Sequence, residues 1–133
     1  MIGVDTNILV RYLLADDPVW TPVAERFLEK ELTTENPGYV NPLTLAELVW
    51  TLRKHPRYDR AGMAAMIEGL MSFDRLVIGE AEAVAAALAS FRKGGAGFAD
   101  HLIAELNRRA GADQTATIDG KAKLTPPFTP LST

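Results

Sequence analysis

The chain contains no cysteine. That absence removes disulfides, thiolate chemistry and zinc–sulfur sites together. It fits a cytoplasmic protein, and the cytoplasm is the expected location. Long apolar runs are missing too, so no segment is expected to span a bilayer. The first residues have neither a basic flank nor a small-residue cleavage site, which argues against a signal peptide. No internal repeat or low-complexity segment interrupts the chain. An excess of positive charge is also lacking: the net charge is −3, whereas a simple phosphate-binding module is usually basic.

What is present is 133 residues, expected to form one domain over 1–133. Such a chain is long enough to bury about two-thirds of its unfolded surface. Charge is unevenly spread. Residues 1–50 carry three Lys/Arg against eight Asp/Glu, and residues 51–133 carry eleven against nine. An acidic pocket with a basic approach would read this way.

Strand-like runs alternate with segments of helical period. The strands are expected at Ile2–Asp5, Gly38–Val40, Leu76–Ile78 and Thr115–Ile118, with a weak fifth near Phe128–Leu131. Helices are expected at Thr6–Ala15, Pro18–Thr33, Pro42–His55, Asp59–Phe73, Glu80–Arg92 and Phe98–Ala110. Asn41-Pro42 is a good helix start and Gly111 after Arg108-Arg109 a good stop. Strands separated by helices need crossovers, so the expected class is α/β with a small, mostly parallel sheet. The segment Lys93-Gly94-Gly95-Ala96-Gly97 reads as a flexible loop. The proline-rich tail supports at best an edge strand.

Open α/β sheets bind ligands at the carboxyl ends of their strands. Asp5 ends the first strand, and Asp119 ends the fourth. Glu47 and Asp100 lie near helix beginnings. Each has a plain explanation: a helix cap for Asp5, a Thr44-x-x-Glu47 capping box, a dipole contact for Asp100, an Asp-Gly turn for Asp119. On a helical wheel Glu47 lies opposite the stripe Leu45, Leu48, Val49, Leu52 and shares its face with Leu43 and Trp50. Asp100 flanks the stripe Ala99, Leu102, Ile103, Leu106. Together the four acids converge on one sheet edge. Carboxylates that close repel, and a divalent cation holds them ionised. Mg²⁺ or Mn²⁺ is the expected ion, because the donors are hard oxygens. Such a site suits metal-assisted hydrolysis of a phosphodiester.

Four segments carry a family resemblance: Val4-Asp5-Thr6-Asn7-Ile8-Leu9, Thr44-Leu45-Ala46-Glu47-Leu48, Phe98-Ala99-Asp100-His101-Leu102-Ile103-Ala104 and Ala116-Thr117-Ile118-Asp119. In this order and spacing they resemble the PIN-domain nucleases, and within them the VapC-type toxins. The resemblance implies a three-layer sandwich around a five-stranded parallel sheet of order 3-2-1-4-5. It implies Mg²⁺- or Mn²⁺-dependent endoribonuclease activity, with Asp5, Glu47, Asp100 and Asp119 as the acidic cluster. Asp5 and Asp100 would be the chief direct ligands, and Glu47 and Asp119 would act through water or a second ion. Asn7 and Thr117 match positions that orient the acids or a bound water. A cognate VapB-type antitoxin and a homodimer are implied as partners. The chain departs from the family pattern at Ile118, at Gly120-Lys121 and at the bulky His101.

The densest basic stretch is Arg53, Lys54, His55, Arg57, Tyr58 and Arg60. With Arg11, Arg92, Lys93, Lys121 and Lys123 it would line an RNA path, with Tyr58 available for stacking. A solvated helix end explains Arg53–His55 equally well. Trp20 and Trp50 read as core or interface, and Leu13-Leu14 with Val19–Phe27 as a partner surface or ordinary helix packing. His55 and His101 read as surface or structural residues. Two rivals remain. A phosphoacceptor receiver domain would need adjacent acids after strand one and an acid after strand three, where this chain has Ile78-Gly79. A nucleic-acid-binding module with a degenerate site would lack at least one of the four acids.

Overall fold

In the computed structural model the structure describes residues 1–120 and 127–133. The fold is α/β, and its contacts divide it into two compact units, Met1–Glu80 and Ala81–Thr133.

In the first unit, β1 (Ile2–Gly3), β2 (Gly38–Val40) and β3 (Leu76–Ile78) form a parallel sheet with β2 in the middle. Ile2 pairs with Gly38, and Gly38 with Leu76. The first strand is shorter than the expected Ile2–Asp5. Its hydrogen bonding nevertheless runs on to Val4, whose N–H donates to the Tyr39 carbonyl at 2.9 Å. Gly38 is required at the centre of the sheet. A Cβ there would stand 2.7 Å from Val4 and 2.9 Å from Leu32 and Leu76.

The helices of this unit follow the apolar periodicity. They are α1 (Thr6–Leu14), α2 (Trp20–Arg26), α3 (Pro42–Leu52) and α4 (Arg60–Ser72). Leu9, Leu28, Leu32, Val40, Leu45, Leu48, Leu52 and Ile67 are fully buried among them. The expected helix Pro18–Thr33 is two pieces, since α2 passes into a π-helical turn at Phe27–Glu31. The Asp17 carboxylate accepts the N–H groups of Val19 and Trp20 at 2.9 and 2.8 Å and so starts α2 there. The expected Pro42–His55 also stops early, at Leu52. His55 then caps a 3₁₀ turn, Pro56–Tyr58, whose proline forces the break.

In the second unit, α5 (Ala81–Lys93) and α6 (Phe98–Arg109) pack side by side, and Phe91 meets Phe98 edge-on at 6.0 Å. The loop between them turns through Gly94 and Gly95, both at positive φ, which glycine adopts without strain. Strands β4 (Thr115–Thr117) and β5 (Phe128–Pro130) form a parallel pair, with Thr115 opposite Phe128. Asn107 of α6 donates to the Thr115 hydroxyl at 3.0 Å, tying helix to strand. The described ladders are thus two sheets, ordered β3-β2-β1 and β4-β5. No helix among the described residues is long and apolar enough to cross a membrane.

Candidate active site

Asp5 occupies the N-cap position of α1, with the extended backbone that position requires (φ −79°, ψ 154°). Its side chain makes no capping hydrogen bond, so the cap explanation fails for the carboxylate itself. The exposed acid is left available at the end of β1.

The next residue explains how a second acid arrives. Thr6 is buried, and a buried hydroxyl needs a partner. It donates to Glu47 Oε1 at 3.0 Å, across forty-one positions of sequence. Glu47 is thereby drawn to the residue that follows Asp5. The capping-box explanation for Glu47 is overturned by the same geometry. Asn41 is the cap of α3, accepting the Thr44 N–H at 2.8 Å, and Glu47 turns to Thr6 instead. Thr6 is a candidate site residue that reading the sequence missed. The signal was there: its period with Leu9 and Val10 puts a hydroxyl on the buried face of α1.

Asn7 is exposed on the first turn of α1. It lines a groove of about 620 Å³ with Ile8, Arg11, Trp20 and Phe27. Trp20 and Trp50 are 57% and 66% exposed, so the reading of either as core is corrected.

In the second unit, Asp100 sits half-buried in the first turn of α6, where negative charge suits the helix dipole. The expected stripe of α6 is rotated. Phe98, His101, Leu102 and Ala104 are buried, whereas Ile103 is 52% exposed. Phe98 sets this rotation by packing on Phe91, and it turns His101 inward. His101 is structural: its Nε2 lies 3.3 Å from the Gly94 carbonyl and its ring packs on Phe128. Asp119 lies just past β4, exposed. Its N–H donates to the Thr117 hydroxyl at 3.0 Å, which shapes the strand end. Among the described residues, neither unit by itself gathers three Asp, Glu or His side chains into a metal cage. The donors held at the start of α1, Asp5 and Glu47, are hard carboxylate oxygens, and these fit a divalent cation such as Mg²⁺.

The basic stretch divides. Arg53 and Lys54 are exposed, while Arg57 donates to the Leu13 carbonyl at 3.1 Å. Tyr58 is buried, with its hydroxyl 3.4 Å from the same carbonyl, which removes it as a stacking residue. The segment's proline folds it back onto α1. Arg92 and Lys93 are exposed at the end of α5. Lys121 and Lys123 lie outside the described residues. The receiver alternative meets a further obstacle, because Tyr39 and Pro42 crowd the position after β3 that Gly79 holds.

The family model of the PIN domain matches residues 2–123, and the chain belongs to that family. Its members are in general metal-dependent nucleases acting on nucleic acids. No curated protein and no solved structure matches the chain significantly.

Proposed function

We propose that the protein is an Mg²⁺- or Mn²⁺-dependent endoribonuclease and the toxin of a VapBC-type toxin–antitoxin pair. The observation that supports the reading is the Thr6–Glu47 hydrogen bond, which brings Glu47 to the residue after Asp5 in a chain of a nuclease family. In this reading the chain is one nuclease domain, and its strands join in the order 3-2-1-4-5. Asp5, Glu47, Asp100 and Asp119 together hold the cation, Asp5 and Asp100 most directly. The ion, when bound, lowers the pKa of water and neutralises charge on the phosphate. Asn7 and Thr117 orient the acids. Arg53, Lys54, Arg57, Arg92, Lys93 and Lys121 neutralise the phosphates of the incoming strand. The products carry 5′-phosphate and 3′-hydroxyl ends. The groove beside Asn7, lined by the exposed Trp20, would receive an antitoxin segment. The active form is a cytoplasmic homodimer.

A cleavage assay on a mixed RNA pool tests this directly. Cutting is expected with Mg²⁺ or Mn²⁺ and not with EDTA, and Asp5→Asn and Asp100→Asn are expected to be inactive. Cleavage that persists in EDTA or in both variants rejects the proposal. Growth arrest on expression, relieved by the product of an adjoining short reading frame, tests the toxin assignment.

A further inference from the structure

Helix α3 has one apolar side too many. Leu45, Leu48, Val49 and Leu52 bury the inner side, yet Leu43 is 72% and Trp50 66% exposed on the outer one. Glu47 stands between them, four residues after Leu43 and three before Trp50, so all three share a face. Trp50 is therefore less than one helical turn, roughly 5 Å along the axis, from the candidate carboxylate.

The ring is not loose. The Arg53 guanidinium lies over it, 3.6 Å from the centroid, and Arg53 also donates to the Trp50 carbonyl at 3.3 Å. Lys54 follows, exposed. The patch thus joins an oriented aromatic plane to two cations beside an acid. Bases stack on aromatic faces and phosphates follow cations, which is how single-stranded nucleic acids are held without sequence readout. Arg53 and Lys54 give this face the charge that a polyanion complements.

We propose that Trp50 is the stacking platform for one base of a single-stranded RNA substrate next to the bond that is cut, with Arg53 and Lys54 taking the adjoining phosphates. The proposal rests on the nuclease reading of Glu47. It assigns a substrate-binding residue to a position that the acidic motifs leave out.

Tryptophan fluorescence tests it. The chain has two tryptophans, so Trp20→Phe leaves Trp50 as the only reporter. In EDTA, a short oligouridylate is expected to bind and quench Trp50, and an abasic oligomer of equal length to bind without quenching. Trp50→Ala is expected to weaken oligouridylate binding about tenfold to a hundredfold and to spare the abasic oligomer. Trp50→Phe is expected to recover most of the loss. With Mg²⁺ present, the Ala variant raises KM and leaves kcat nearly unchanged. Binding without quenching, no binding, or equal losses for both oligomers overturns the proposal. So does a Trp50→Ala variant that sediments as a smaller species with its oligomer affinity intact, which would mark the patch as a protein interface. A protein that binds and quenches but never cuts removes the nuclease reading and leaves the platform standing.

Discussion

The two units hold their acids in different ways. In the first, a side chain reaches across forty-one positions to fix Glu47, and Asn41 caps the helix that carries it. In the second, the contacts described at Asp100 and Asp119 are local. One lies in the first turn of a helix whose cap is Gly97, with no capping side chain, and the other follows a hydroxyl–amide contact two residues long. The difference teaches that the acids of the first unit depend on a tertiary contact, whereas the contacts described at those of the second are local. Damage to packing should therefore fall unequally on the two halves.

The largest expected effect is shared by both units. Asp5→Asn and Asp100→Asn should each lower RNA cleavage well beyond the roughly 10–100-fold typical of losing a supporting contact. If only one of them does, the site belongs to that unit. Thr6→Val comes next, lowering Mg²⁺ affinity about 10- to 100-fold in a metal titration, while Thr6→Ser retains most of it. Thr117→Val should cost less, and equal losses would erase the contrast between the units.

Capping effects on thermal stability are smaller. Asn41→Ala should destabilise by about 1 kcal/mol, because the Thr44 amide loses its acceptor. Gly97→Asn should stabilise by a few tenths of a kcal/mol. A Cβ at Gly97 meets only ordinary contact, 3.6 Å from Asp100 Oδ2.

The smallest effect is in acid. The amides of Trp20 and Val19 hold the Asp17 carboxyl below its ordinary value. A lowered carboxyl pKa contributes stability above the unfolded value, and the contribution is lost as pH falls through the folded one. Glu105, lowered by Arg108, acts in the same direction in the second unit. Asp17→Asn should therefore flatten the acid limb of a melting-temperature profile by lowering its neutral part slightly, with the acid end little changed.

Much of the fold was legible before the structure. Gly38–Val40 and Leu76–Ile78 match residue for residue, because short β-branched or apolar runs between turn residues have few alternatives. Asn41-Pro42 marked the start of α3, since cap and first-turn chemistry are local. What could not be read depends on contacts distant in sequence. The π-helical turn at Phe27–Glu31 has no local signature. The inward rotation of His101 follows from Phe98 meeting Phe91, and Tyr58 is buried because Pro56 turns the chain back onto α1. The acids themselves were legible as strand-end and helix-start residues. The buried threonine that holds Glu47 was legible as a hydroxyl on the inner face of α1, but its partner forty-one residues away was not.

The Thr6–Glu47 contact also has a consequence in time. It closes a loop of about forty residues, and closing it requires β1 and β2 to lie side by side with α3 already formed. During synthesis Asp5 precedes Glu47 by about forty residues, and Glu47 cannot be brought to the start of α1 until the chain between them has folded. For a nuclease, that order of events ties the arrival of Glu47 beside Asp5 to the folding of the first unit.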